Sequence, residues 1–210
     1  LRKPNTGKLY RNQIILNYFQ VKTGTNNAIK ISIVIPCFNE EANIGALLNS
    51  LKQIIIPGIN LVALPVNDCS KDNTLNEIRK ATSNYLNLAV NLGIGGAVQS
   101  GFKYAHKNNF DIALQPDGDG QHPVNEIVNL IEPILKNEAD VVIGSRFITK
   151  QGFQSSALRR TGINYFKNLN KLLLGIKITD STSGFRALNK KALEVVNDYY
   201  PDEYPEPEAI

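Results

Sequence analysis

Acidic residues are missing from two long stretches of this chain. No Asp or Glu precedes Glu40, and none lies between Val141 and Thr179. Methionine and tryptophan are absent altogether, and only two cysteines occur, Cys37 and Cys69. Two cysteines rule out a disulfide framework. Each follows an expected strand, and both are expected as buried free thiols of a reducing compartment. An uninterrupted apolar span is missing too. Residues 81–102 carry no charge but are broken by Asn, Gly, Ser and Gln, which excludes them as a bilayer-crossing helix. Nothing resembles a signal peptide. A chain that starts at Leu1 and holds no Met is expected to be processed, or cut from a longer product. What is present is ordinary for a soluble domain: 210 residues, 42% hydrophobic and 20% charged. That length buries a substantial single core. A net charge of +4 points mildly toward anionic partners.

Residues 1–29 show no period and hold Arg2, Lys3, Lys8, Arg11 and Lys22. They read as a basic arm outside the main fold. From Lys30 a regular alternation begins. Strands are expected at 31–35, 61–66, 86–90, 111–115 and 140–143, where short apolar runs occur. Helical stripes lie between them. Ile44, Leu47, Leu48 and Leu51 form one, with Asn39 as its expected N-cap and Glu40 and Glu41 in the first turn. Ala97, Val98, Gly101, Phe102 and Ala105 form a second. Ile127, Leu130, Ile131, Ile134 and Leu135 form a third, opened by Pro123. Strand–helix alternation predicts an α/β fold with a mostly parallel sheet flanked by helices. Such sheets bind ligands beyond the carboxyl ends of their strands.

Each expected strand exit carries polar or glycine chemistry. Asp117-Gly118-Asp119-Gly120-Gln121-His122-Pro123 follows the fourth strand. It is either an acidic turn or a cation site. Paired carboxylates suit a hard divalent cation such as Mg²⁺, which keeps phosphate oxygens in its shell. A calcium loop is excluded, because His122 and Val128 stand where Gly and Glu are required. Gly93-Ile94-Gly95-Gly96 is either a tight turn or a helix start that meets an anion through its amides. The dinucleotide fingerprint fails on glycine spacing and on the missing ribose acid. In Asn67-Asp68-Cys69-Ser70-Lys71-Asp72-Asn73-Thr74, Asp72 suits the cap, which leaves Asp68 to accept from a nucleobase N–H.

The acid-free stretch 141–179 holds seven cations: Arg146, Lys150, Arg159, Arg160, Lys167, Lys171 and Lys177. Phe147, Phe153, Tyr165, Phe166 and the run Leu172 to Leu174 are interleaved with them. This is either a solvated amphipathic helix or a surface for an anionic, apolar partner such as a lipid phosphate at a bilayer. Nucleic acid is excluded as the expected partner by the high aliphatic content and the lack of a recognition motif. Asp180 ends the stretch, beside Ser181, Thr182 and Ser183.

Together these segments resemble family 2 glycosyltransferases of the GT-A fold. The similar branch includes dolichyl-phosphate mannose synthase and bacterial polyprenyl-phosphate glycosyltransferases. The motifs run in the family's order over about residues 31–188: Val34 to Glu41, Asn67 to Thr74, Asn91 to Ala97, Asp117 to Pro123, Gly144-Ser145-Arg146 and Thr182 to Arg186. The resemblance implies a catalytic domain over 30–210, continuing beyond Ile210. It implies that Pro36, Phe38, Glu40, Asp68 and Gly95 bind a UDP- or GDP-sugar. Asp117, Asp119 and Gln121 would engage the diphosphate and its Mg²⁺ or Mn²⁺, with Asp119 catalytic. Arg146, Arg160 and Arg186 would face an acceptor phosphate, and Asp180 would orient or deprotonate the acceptor. Cys69 departs from the pattern, which has Gly there.

The activity so implied is inverting, metal-dependent sugar transfer to a polyprenyl phosphate, by an enzyme peripheral to the cytoplasmic face of the membrane. The alternatives are transfer to a saccharide hydroxyl in cell-surface polysaccharide synthesis and an inactive sugar-nucleotide-binding module. A sugar-phosphate nucleotidyltransferase is disfavoured, because residues 36–41 lack a Gly-rich triphosphate loop.

Overall fold

A computed structural model describes residues 28–116, 124–144 and 183–199. The strands among them are β1 (Ile29–Cys37), β2 (Ile59–Asn67), β3 (Leu86–Asn87), β4 (Ile112–Gln115), β5 (Val141–Ile143) and β6 (Arg186–Asn189). The helices are α1 (Ile44–Lys52), α2 (Thr74–Ala81), α3 (Gly93–Lys107), α4 (Val124–Leu135) and α5 (Lys190–Tyr199).

All six strands form one sheet in the order β3-β2-β1-β4-β6-β5. β1 lies parallel to β2 along its whole length, from Ile29↔Ile59 to Cys37↔Asn67, and parallel to β4 on its other side. β3 joins β2 only at Val66↔Leu86 and Asn67↔Asn87. It begins just past Pro65, which has no N–H to give a neighbour. At its other end β2 stops at Asn67, so nothing pairs past Asn87, and the strand expected over 86–90 is cut to its first two residues. β6 was not anticipated. It runs antiparallel between β4 and β5.

β1 is buried on both faces, and its alternating side chains sort into two cores. Ile31, Ile33, Ile35 and Cys37 meet α1, α2 and α4 on one face, with Ile44, Leu48, Ile78, Ile127 and Ile131. Val34, Leu64 and Val66 meet α3 and α5 on the other, with Val98, Phe102 and Leu193. The two later helical stripes expected from the sequence are thus the buried faces of α3 and α4. Gly101 supplies the close approach of α3 to β1. A Cβ there would stand 2.2 Å from Val34 Cγ1.

The strand order reverses between β1 and β4, the switch point where open α/β sheets leave a ligand crevice. Because β6 is antiparallel, its first residue stands where β4 and β5 end: Arg186 pairs with Gln115 and with Ile143. Arg186 thus joins the strand-exit edge by entering it rather than leaving it. No helix among the described residues is long and apolar enough to cross a membrane. Residues of the expected basic arm, 1–27, lie outside the described residues.

Candidate functional site at the strand-exit edge

The β1 and β2 exits are built as one unit. Asn39 takes a left-handed conformation, φ 56°, which turns the chain sharply after Phe38. Asn tolerates this region better than most residues. Its side-chain oxygen then accepts from the Lys71 amide at 2.9 Å, while its own amide donates to Ser70 Oγ at 3.0 Å. The Glu40 amide donates to Thr74 Oγ1 at 2.7 Å, and the Glu41 amide to Asp72 Oδ2 at 3.1 Å. In return, Glu41 Oε2 accepts from the Asn73 amide at 2.8 Å. Asn39 is therefore not the cap of α1, which starts five residues later at Ile44 with Asn43 in the cap position. Its amide-binding partner is another loop, not its own helix. Glu40 and Glu41 likewise precede the helix, and Glu40 Oε2 is engaged by Asn43 Nδ2 at 3.1 Å.

Asp72 behaves as expected. Its Oδ1 accepts from the Thr74 amide at 3.0 Å at the start of α2. Desolvation opposes its ionised form, but hydrogen bonds from the Thr74 hydroxyl and amide and the Glu41 amide outweigh that. They hold the carboxyl below its usual range.

Asp68 is 2% exposed. Its amide donates to Cys37 O at 2.9 Å, tying it to the end of β1. Its Oδ1 accepts from the Leu92 amide at 2.7 Å, and Asn91 Nδ2 donates to the Asp68 carbonyl at 3.1 Å. Half of this carboxylate thus anchors the start of α3. Only Oδ2 makes no hydrogen bond among the described residues. Beyond Leu92, Gly93 has φ 75° and turns the chain into α3, with Gly95 buried in its first turn. Phe38 is 46% exposed beside this arrangement, and Pro36 is half-buried.

The two thiols differ. Cys37 is buried, and burial, with help from the Glu40 charge, pushes its thiol up to about 12. Cys69 is half-buried rather than buried, and it has φ 57°. The position where the resembling family carries Gly is one where Gly is conformationally easiest.

On the far side of the switch point, Gln115 and Arg186 are 2% and 5% exposed. Arg186 is therefore part of the floor of the edge, not an exposed rim cation. Gln115 was not singled out by the sequence reading. Its only sequence signal is that it ends an apolar strand two residues before Asp117.

Asp117, Asp119, Gln121, Arg146, Arg160 and Asp180 lie outside the described residues. Among the described residues no group of three or more His, Cys, Asp or Glu could hold a metal ion. The edge thus unites Pro36, Phe38, Glu40, Asp68, Gly95 and Arg186 of the expected site, and the strand that leads to Asp117.

Comparison with known proteins identifies the family. The model of Glycosyl transferase family 2 matches residues 32–196. The chain is 34% identical over 186 residues to the UDP-N-acetylglucosamine–dolichyl-phosphate N-acetylglucosaminyltransferase of Methanococcus voltae, spanning 80% of this chain and 72% of that protein. It is 32% identical over 178 residues to the dolichol-phosphate mannosyltransferase of Pyrococcus furiosus, spanning 80% of this chain and 48% of that one. Among solved structures, Mycobacterium tuberculosis glucosyl-3-phosphoglycerate synthase, crystallised with Mn²⁺ and UDP-glucose, superposes with a TM-score of 0.56. It shares 16% identity, with 91% of this chain and 62% of that one covered. S. aureus TarS gives a TM-score of 0.56 at 22% identity, covering 86% of this chain and 53% of that one. These two share the fold, and this chain spans less than two thirds of either. Sheet order, strand-exit edge and family match agree: the chain belongs to glycosyl transferase family 2 and is a glycosyltransferase of the GT-A fold.

Proposed function

We propose that the chain transfers a hexosyl unit from a nucleoside-diphosphate sugar to a polyprenyl phosphate, with inversion at the anomeric carbon. The observation that carries the reading is the shared edge. Asp68 and Phe38 stand on one side of the switch point and Arg186 on the other, with the β4 exit that leads to Asp117 between them. The relatives named for dolichyl-phosphate acceptors support the choice of acceptor.

In this mechanism the exposed Phe38 ring and Asp68 Oδ2 receive the base and ribose, with Pro36, Glu40 and Gly95 closing around them. Asp117 and Asp119, with Gln121, are the residues to hold Mg²⁺ or Mn²⁺, which would supply Lewis acidity to the departing diphosphate. Arg146, Arg160 and Arg186 hold the acceptor phosphate. A phosphate oxygen is already anionic near neutral pH and attacks without a strong base. A hydroxyl acceptor would need Asp180 as its base. Such an enzyme works peripherally, at the cytoplasmic face of the membrane.

The test is transfer of labelled sugar from UDP- and GDP-sugars, with Mn²⁺ or with chelator. Vesicles containing undecaprenyl phosphate are compared with a soluble saccharide acceptor. We expect label in lipid, dependent on metal and abolished by Asp119→Ala. Label found only in the soluble saccharide would overturn the lipid acceptor and make Asp180 the base. Nucleotide affinity indifferent to Mn²⁺ would overturn the metal.

A further inference from the structure

Asn67 is an amide side chain buried to 2% exposure at the last residue of β2. Its parallel neighbour on β1 is Cys37, a member of the α1/α2/α4 core, and parallel neighbours share a face of the sheet. Burying an amide against that core is costly unless it is hydrogen-bonded, and an apolar residue of like volume would fill the place without that cost. Asn67 meets the cost with bonds in two directions. Its Nδ2 donates to Asn87 Oδ1 at 2.7 Å, and its Oδ1 accepts from the Ser70 amide at 3.4 Å. Its main-chain carbonyl also accepts from the Leu88 amide at 2.9 Å.

These bonds fall where the β2–β3 ladder stops, at Asn67↔Asn87. Past that pair the chain must still bring the Leu92 amide to Asp68 Oδ1 and Asn91 Nδ2 to the Asp68 carbonyl. Asn67 therefore holds the segments on both sides of Asp68: Ser70, which closes its turn, and Asn87-Leu88, which lead to Leu92. A buried, fully bonded amide network specifies one arrangement where apolar packing would accept several.

We propose that Asn67 and Asn87 form a positioning pair: their side-chain bond fixes the Asp68 turn against the β3 exit, so that one carboxylate oxygen holds the start of α3 and the other faces the nucleotide. This rests on the nucleotide role given to Asp68 above and adds the residues that aim it.

Asn87 is exposed, so its variants change the acceptor without opening the core. Asn87→Leu removes the acceptor at similar volume, Asn87→Asp keeps it, and Asn67→Leu removes both bonds of the buried amide. Asn76→Leu is the control. It deletes another exposed Asn–Asn bond of 2.7 Å, on α2. By calorimetry with UDP and GDP, Asn87→Leu should weaken binding about fivefold and Asn67→Leu about tenfold or more, the scale of one and two net hydrogen bonds. Asn87→Asp and Asn76→Leu should stay within about twofold, less than one such bond. Independently of any nucleotide, the Leu92 amide signal of ¹⁵N-leucine-labelled protein, identified by its loss in Leu92→Ile, should shift in Asn87→Leu and stay in place in Asn76→Leu. An unmoved Leu92 signal in Asn87→Leu overturns the positioning role whatever the ligand. So does equal loss of affinity in Asn87→Asp and Asn87→Leu, or a moved signal with nucleotide affinity intact. A moved signal in a protein that binds neither UDP nor GDP in any form supports the pair's hold on Asp68 and overturns the nucleotide reading instead.

Discussion

On the β1–β2 side of the strand-exit edge, polar groups satisfy one another; on the β4–β6 side, a buried amide oxygen has no partner. Asn39, Glu40 and Glu41 exchange hydrogen bonds with Ser70, Lys71, Asp72, Asn73 and Thr74 across two loops. Gln115 Oε1, beyond the switch point, is buried without a bond. The first arrangement is preorganised: its geometry does not wait for a ligand, so binding there need not include the cost of ordering those loops. The second has capacity to spare at a residue next to a buried cation. The difference is between loops whose polar groups are complete in themselves and a strand end that leaves a buried acceptor open.

The change expected to have the largest effect acts on the helix that both halves share. α3 rests on β1 through Gly101, and its start is held by Asp68. A side chain at Gly101 meets Val34, which is wholly buried and cannot swing away. Gly101→Val should cost roughly 3 kcal/mol, lowering Tm by about 6–12 °C in a domain of this size. The double variant Gly101→Ala with Val34→Ala should be more stable than Gly101→Ala alone. If the second truncation only adds to the loss, the contact is not what limits this position.

Asp68→Ala comes next and tests whether the satisfied half also binds. It removes both the anchor of Leu92 and the oxygen left over. Nucleoside-diphosphate affinity should fall by about 1.5–3 kcal/mol, the range for a hydrogen bond to a charged group. Asp68→Asn keeps an oxygen for the Leu92 amide and loses the charge. It should retain stability and still bind nucleotide more weakly by calorimetry. Normal binding by the Asn variant would reassign Asp68 to structure alone.

How far these features could be read in the sequence depends on the range of the interactions that make them. Ile31-Ser32-Ile33-Val34-Ile35 announces itself as a short run buried on both faces, and the stripe from Ala97 to Ala105 because burial of one helix face imposes a local period. β6 does not. Arg186-Ala187-Leu188-Asn189 is four residues long, and its antiparallel place between β4 and β5 is set by neighbours distant in sequence. Asn39 shows the same limit. A cap-forming residue ahead of an apolar stripe fits a helix start, yet its oxygen bonds an amide 32 residues away. Asp68 was recognisable as a strand-exit acid, but its tie to Leu92 was not, since nothing local specifies a partner 24 residues on. The expected metal and acceptor residues Asp117, Asp119, Gln121, Arg146, Arg160 and Asp180 rest on their motifs.

Acid should separate the two halves more gently. Asp72 is held below its usual range by hydrogen bonds against desolvation, and Asp140 by hydrogen bonds from Lys191 and Asn189 at the β5–β6 corner. For both, the folded-state pKa lies below the unfolded value. Each contribution is therefore fully present above about pH 3.9, the unfolded value, and disappears as pH falls through the lower folded value. Asp72→Asn and Asp140→Asn should each flatten the acid limb of urea unfolding measured from pH 5 to pH 2. Salt distinguishes them. The Lys191–Asp140 pair at 2.9 Å is exposed and should weaken in 1 M NaCl, whereas the uncharged donors around Asp72 should not. Equal salt sensitivity would mean that the β1–β2 clamp is held by long-range charge rather than by its own hydrogen bonds.

The smallest expected effect lies inside the clamp, where two residues adopt the same left-handed conformation for different reasons. Asn39 at φ 56° gains a side-chain bond to the Lys71 amide by doing so. Cys69 at φ 57° gains only a long contact, 3.7 Å from its sulfur to Ala89 O. A side chain in this region costs about 1–2 kcal/mol relative to the right-handed one, and glycine avoids that cost. Glycine also gives the unfolded chain more freedom, which returns about 0.4–1 kcal/mol of the gain. Cys69→Gly should therefore stabilise by up to about 1 kcal/mol, raising Tm by roughly 2–4 °C. Asn39→Gly relieves the same strain but loses its cross-loop bond, and it should destabilise. The thiols supply a second measurement. In the native protein at pH 8 a thiol reagent should titrate Cys69 alone, because burial holds the Cys37 thiol near 12, and Cys69→Gly should react only when unfolded. If Cys69→Gly destabilises as much as Asn39→Gly, the sulfur holds the loop, and this side of the edge depends on the residue that departs from the family's pattern.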